Sequence, residues 1–179
     1  DSNVAVGNQA LSANTTGSQN VATGACALNA NTTGANNAAF GFCASAAGTT
    51  ANLNTAIGNF ALKVSEAGCK NTAVGYQSMF DATTSECNTA LGAYSLTNNT
   101  TANFNTALGT CSMYTNTTGH SNVAVGYNSL DANTTGDYNT AVGIDALGAN
   151  TSANNNTAFG AEALKKTTTG DTNTAMGVS

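Results

Sequence analysis

Asn105 to Ser121 reads NTALGTCSMYTNTTGHS, and Asn122 to Tyr138 reads NVAVGYNSLDANTTGDY. The two stretches are one 17-residue phrase written twice. The phrase continues in both directions, so that ten blocks fill residues 3–172 without an insertion or a deletion. They open at Asn3, Asn20, Asn37, Asn54, Asn71, Asn88, Asn105, Asn122, Asn139 and Asn156; an eleventh opens at Asn173 and breaks off at Ser179. Within each block the first position is always Asn, the third always Ala and the fifth always Gly. Such repetition inside one chain reports a geometric constraint that every block must meet.

Seventeen residues are too few for the paired helices of ankyrin, tetratricopeptide or HEAT units. They suffice for one coil of a parallel β-solenoid, with two or three short strands joined by tight turns. The strict block length supports this, because an extra residue would break the ladder above and below. Thr, Val, Ile and Leu recur at the second and fourth positions, where a strand is wanted. The glycine column and the T-T-G near the block's end punctuate turns. Residues 1–179 therefore read as a single all-β solenoid domain of ten coils and a partial eleventh. Stacked at about 4.8 Å per rung, ten coils make a rod of roughly 50 Å.

Alternation in a strand puts the first, third and fifth positions on one face and the second and fourth on the other. A face that accepts only Asn, Ala and Gly points to a narrow interior, closed against the Ala/Ser column at position eight. The fourth column admits Val6, Thr23, Phe40, Ile57, Leu91 and Met176, and the ninth admits Leu11, Met79, Leu96, Met113 and Leu130. That size range argues that both columns point outward and form an apolar stripe too large to leave in water. Two further copies of the rod would cover it, giving a homotrimer. The alternative is a wider monomeric core filled by both columns. The eleven opening Asn residues should stack as an amide ladder, each side chain donating to one neighbour and accepting from the other; turn residues tolerant of the left-handed region are the other reading.

Composition narrows the function classes. The chain has 19 Gly, no Pro, four Lys and Arg against nine Asp and Glu, a formal charge of −5, and one histidine, His120. Its wet surface must be Asn, Thr and Ser. Without clustered Lys and Arg it has no footprint for nucleic acid. No apolar run approaches the roughly 18–20 residues that span a bilayer. The start at Asp1 and the end inside a motif suggest the ordered part of a longer polypeptide.

The N-T/V-A-φ-G core followed by A-L resembles the S-x-A-φ-G repeats in the heads of trimeric autotransporter adhesins. The 17-residue phrase with NTAVG and NTTG is also similar to repeats in phage tail fibres and other environmental fibre proteins. The likeness runs from Asn3 to Gly177. It implies trimers of left-handed parallel β-rolls that bind host surfaces or matrix. Asn in place of Ser at the motif start, and a coil longer than is usual in the adhesins, are departures. Neck, coiled-coil stalk and membrane-anchor patterns are not read within these residues.

Cys26, Cys43 and Cys111 share the seventh column. Cys26 and Cys43 are one coil apart, about 4.8 Å between Cα atoms, inside the disulfide range of about 4.4–6.8 Å. Cys69 and Cys87 lie on neighbouring coils and are also bridgeable. Two such staples would suit an oxidising, extracellular compartment; a row of packed free thiols is the alternative, and Cys111 is left over. The twelfth column supplies N-x-T/S sequons at Asn14, Asn31, Asn99, Asn116, Asn133 and Asn150, with further matches at Asn98 and Asn155. These are glycan acceptors in a secreted fibre, or simply turns. Thr fills the thirteenth position in nine of ten blocks and the fourteenth in eight. Adjacent strand positions point to opposite faces, so this gives one outward Thr column, not the paired array an ice-binding face needs.

Catalysis and metal binding find little footing. Asp81, Glu86, Asp131, Asp137, Asp145, Glu162 and Asp171 scatter over four variable columns, and His120 has no organised partner. One histidine and the cysteine spacing speak against zinc, and no cofactor is implied. The expectation is a non-enzymatic, extracellular fibre segment on a cell surface, virion fibre or secreted filament. It would mediate attachment through self-association and contact with a host-surface glycan or protein, using outward aromatics at Tyr76, Phe80, Tyr94, Phe104, Tyr114, Tyr127 and Tyr138. The competing expectation is a passive filament or spacer, glycan-coated or bare, with no specific ligand.

Overall fold

The chain's computed structural model describes residues 2–178. Eleven three-residue strands, from β1 (Val4–Val6) to β11 (Thr174–Met176), each begin at the second position of a block. They form one parallel sheet in chain order. The register is a uniform offset of 17: Ala5 pairs with Ala22, Ala90 with Ala107 and Ala158 with Ala175. Each block is thus one coil of a β-solenoid. There is one strand per coil, not two or three, and turns and bends make up the rest.

The glycine column has a steric origin. All eleven hold φ between 125 and 140. A Cβ on Gly24 would lie 2.4 Å from the carbonyl oxygen of Gly41, and one on Gly92 would lie 2.6 Å from both carbonyl atoms of Gly109. The backbone turns its corner against the coil above, and no side chain fits between.

The ninth column does not face outward. Leu28, Leu62, Met79, Leu96, Met113, Leu130 and Leu147 are completely or almost completely buried and form the centre of the core. The cause is a break in alternation. Positions seven, nine and seventeen of every complete block sit in the left-handed region, with non-glycine φ between 48 and 62. Each such residue costs about 1–2 kcal/mol against ordinary backbone. Two of them flanking position eight let positions eight and nine both point inward. The interior therefore holds six columns: Asn at one, Ala at three, Ala or Ser at eight, Leu or Met at nine, mostly Asn at twelve and small residues at fifteen. The fourth column does point outward, with Phe40, Ile57, Leu91 and Phe159 between 41 and 53 % exposed.

Two buried amide ladders run along this interior. The opening Asn residues link coils through the backbone more than through each other. Asn122 N–H donates to Asn105 Oδ1 at 2.9 Å, while Asn105 Nδ2 crosses the coil to the Gly119 carbonyl at 2.8 Å. The same pair of bonds recurs at Asn20, Asn37, Asn54, Asn71, Asn88, Asn122 and Asn139. Direct amide-to-amide bonds join some of the opening Asn residues, Asn37 to Asn20, Asn88 to Asn71 and Asn173 to Asn156 at 3.0–3.2 Å. They run on successive coils in the twelfth column, where Asn116 donates to Asn99, Asn133 to Asn116 and Asn150 to Asn133 at 2.8–3.0 Å.

Candidate interaction surfaces

With the interior assigned, the outward columns are what the rod presents to its surroundings. The fourth column is apolar in every coil except at Thr23, and it runs the full height of the sheet beside the Thr/Val column at position two. A continuous exposed apolar row of this kind is unusual on an isolated soluble chain.

A second surface lies just past the glycine corner, on columns six, seven and ten. Phe42 meets Phe60 edge to face at 5.2 Å, Phe60 meets Tyr76 at 6.2 Å, Tyr76 meets Tyr94 at 5.3 Å, and Tyr94 meets Tyr114 at 6.4 Å. Phe80 packs against Phe60 at 6.4 Å, and the Lys63 ammonium sits over both of these rings at 5.3 and 5.0 Å. Phe104 and Tyr138, in column seventeen, are exposed and stand apart from this chain of contacts, and Tyr127 is exposed one coil beyond Tyr114.

The sequons of column twelve are inside. Asn31, Asn99, Asn116, Asn133 and Asn150 have no accessible surface, and Asn14 is partly buried. An N-glycan replaces one Nδ2 hydrogen. In Asn31, Asn116, Asn133 and Asn150 that nitrogen donates both to the amide one coil before and to the carbonyl three residues ahead. These positions are ladder residues, not acceptor sites. Of the remaining sequons, Asn155 is exposed and Asn98 half-buried.

The expected disulfides are not formed: Cys26, Cys43, Cys69, Cys87 and Cys111 are all free and partly buried. Cys26 and Cys43, stacked in register, keep their Cβ atoms near the rung spacing of about 4.8 Å, whereas a bridge wants about 3.8 Å; Cys69 and Cys87 lie one column out of register. Cys26 Sγ donates to Gln9 Oε1 at 3.5 Å, and Cys87 N–H donates to the Cys69 carbonyl at 3.1 Å. Burial pushes the Cys43, Cys69 and Cys111 thiols up; Cys26, Glu86 and Asp131 respectively add to the effect. These thiols stay protonated at neutral pH, which makes them poor nucleophiles.

The Thr column at position thirteen spends its hydroxyls on the fold. Thr15, Thr32, Thr49, Thr83, Thr100, Thr117, Thr134 and Thr151 each donate to the carbonyl one coil on. Position fourteen is exposed throughout, so both Thr columns reach the surface; the segment is bent, and strand alternation does not apply.

One ladder escaped the sequence reading altogether. In column sixteen five consecutive side chains each accept the backbone N–H of the residue one coil before: Asn103 from Glu86, His120 Nδ1 from Asn103, Asp137 from His120, Asn154 from Asp137 and Asp171 from Asn154, at 2.6–2.9 Å. Asn52 does the same for Ala35. A short acceptor in each of these blocks was the signal. His120 and two of the scattered acids are therefore corner caps. Of the others, Asp145 and Glu162 pair with Lys165 at 2.9 and 3.1 Å, and burial followed by the nearby Asp145 raises Asp131 above the usual carboxylate range. A depression of 560 Å³ near the last coil is lined by Glu162, Leu164, Lys165, Lys166 and Thr167. Among the described residues no three His, Cys, Asp or Glu side chains converge as a metal site, and no helix is long and apolar enough to cross a membrane.

Fold and surface together define a tandem-repeat parallel β-solenoid, compatible with a structural fibre segment. No family model, curated protein or solved structure matches the chain.

Proposed function

We propose that this chain is a non-enzymatic segment of an extracellular fibre, that it associates laterally as a homotrimer, and that it serves surface attachment. The observation that carries the reading is the outward fourth column, with Phe40, Ile57, Leu91 and Phe159 in the row. Burial of such a row contributes about 25 cal/mol per Å² of apolar surface, and a closed ring of identical rods covers every copy's stripe equally. Only this column, and not the ninth, is available for that contact. The sheet face around it is in register and free of charged side chains. The polar columns that remain, and the aromatics grouped past the corner, suit an attachment surface held at the flank of a rigid rod.

Sedimentation equilibrium tests the assembly. The expected result is three times the chain mass of 17.7 kDa, falling to one chain in the double variant Leu91→Lys, Leu108→Lys with its β-rich circular dichroism intact. A wild-type rod that stays at a single chain mass at tens of micromolar would overturn the reading. Retention of labelled rods on intact cells or particles separates attachment from the passive spacer, which would show none.

A further inference from the structure

We infer that the aromatic ridge on columns six, seven and ten is a binding site for an extended, uncharged polysaccharide; this rests on the attachment reading and names its ligand. The ridge links Phe42, Phe60, Tyr76, Tyr94 and Tyr114 through successive ring contacts, with Phe80 beside Phe60. Phe42, Tyr76 and Tyr114 are 46, 42 and 38 % exposed, so the rings cover one another only in part. The fold does not require them. Other coils place Asn8, Ala25 and Ala161 at position six, and Gln9, Asn128 and Glu162 at position seven. Phe60 and Tyr94 even hold left-handed backbone, φ 60 and 59, which is unusual for bulky side chains.

A sister rod is a poor occupant. Contact between identical rods should repeat along the whole height, as the fourth column does, whereas the ridge occupies only the third to seventh coils. Its span, four rung steps or about 19 Å, is that of a short oligosaccharide lying along the axis. Its chemistry is also one-sided. In columns six, seven and ten of these coils Lys63 is the single charged side chain, and it is held over Phe60 and Phe80. Amides and hydroxyls edge the rings: Gln77 Nε2 donates to the Tyr76 hydroxyl at 3.3 Å, and Asn59 Oδ1 accepts from Phe42 N–H, which leaves its Nδ2 unengaged. Ring faces flanked by neutral donors and acceptors match a pyranose chain, which offers axial C–H faces and equatorial hydroxyls. A nucleic acid or an acidic polysaccharide would need cations this ridge lacks.

The test is affinity electrophoresis of the full chain through gels containing a soluble β-linked neutral glucan, a neutral α-linked glucan, or heparin. Tyrosine fluorescence with short neutral oligosaccharides provides a solution readout. Retardation by a neutral glucan is expected, reduced at least tenfold in affinity by Tyr76→Ala, Tyr94→Ala, with unchanged thermal unfolding and unchanged sedimentation. Retention only by heparin, equal retention of the double variant, or loss of the trimer in that variant would each overturn the assignment. If neutral glucans fail while wild-type rods still attach to cells, the ligand is wrong and the attachment reading stands; if attachment fails too, both fall.

Discussion

Truncating one ladder amide is the most direct probe of the stacked architecture. In Asn105→Ala the side chain loses two bonds, Nδ2 to the Gly119 carbonyl and Oδ1 from the Asn122 N–H. The two partners are not equally hurt. Gly119 keeps a second donor, Asn116 Nδ2, at 3.0 Å. The Asn122 amide, in a residue with no accessible surface, is left with nothing. An orphaned buried donor costs about 1–3 kcal/mol and a lost net bond about 0.5–1.5, so the variant should lose about 3 kcal/mol. Asn105→Asp separates the two bonds. Its carboxylate still accepts from Asn122 but turns an oxygen toward the Gly119 carbonyl, which favours the protonated form and raises the folded pKa above the unfolded value of about 3.9. The folded state then binds more protons, and stability relative to wild type falls as pH rises through that interval. Below the unfolded pKa the protonated acid donates to Gly119 and the deficit closes. Urea unfolding followed by circular dichroism between pH 3 and 8, with amide exchange at Asn122, measures both effects. A loss under about 0.5 kcal/mol for the alanine variant, with unaltered exchange at Asn122, would refute the buried, in-register ladder.

Gly92→Ala should cost about 3–5 kcal/mol or abolish folding, from left-handed strain and overlap with Gly109, whereas Gly177→Ala, with nothing within 4 Å of its added Cβ, should show the strain alone in the same denaturation series. Leu96→Ala should lose about 2–5 kcal/mol as a core cavity, while Leu91→Ala, 45 % exposed, should leave the rod's unfolding nearly unchanged and weaken its assembly by sedimentation. Asp131→Asn should stabilise the rod at neutral pH: the raised carboxyl binds more protons folded than unfolded, so wild-type stability declines as pH rises through its titration, and the variant's advantage should vanish in acid melts.

The repeat, its phase and the parallel register could all be read from the sequence, because an invariant Asn, Ala and Gly in every block leaves no other frame. Face assignment worked from the first to the fourth position, where true strand runs at positions two to four, and failed at the ninth. Left-handed residues such as Tyr94 and Leu96 carry no glycine to announce them, and nothing else in the block marks where alternation stops. The sequons misled for a related reason. N-T-T-G describes an exposed turn as well as an inward amide, and only the coil's closure decides between them for Asn116 or Asn133. Cys26 and Cys43 were placed on neighbouring rungs correctly, but rung spacing favours stacking over bridging. The column-sixteen caps were hidden by their variety: Asn, Asp and His share only a short-range acceptor.

The division between fixed and variable columns also bears on where function can sit. Six columns face the interior and must match the coil above, so a substitution there is felt by both neighbours. Stability in such an array is a sum of coil and interface terms, and one poor rung weakens the whole rod locally. Coil three shows the tolerance. Ser45 stands where Leu28 and Leu62 flank it, Gly48 interrupts the amide ladder, and both Ser45 Oγ and Asn31 Oδ1 are left without partners. Yet that same coil begins the aromatic ridge with Phe42. Columns four, six, seven, ten and seventeen answer to no such matching, and every large aromatic side chain of the described residues lies in one of them. Partner contacts can therefore change there coil by coil while the scaffold stays constant.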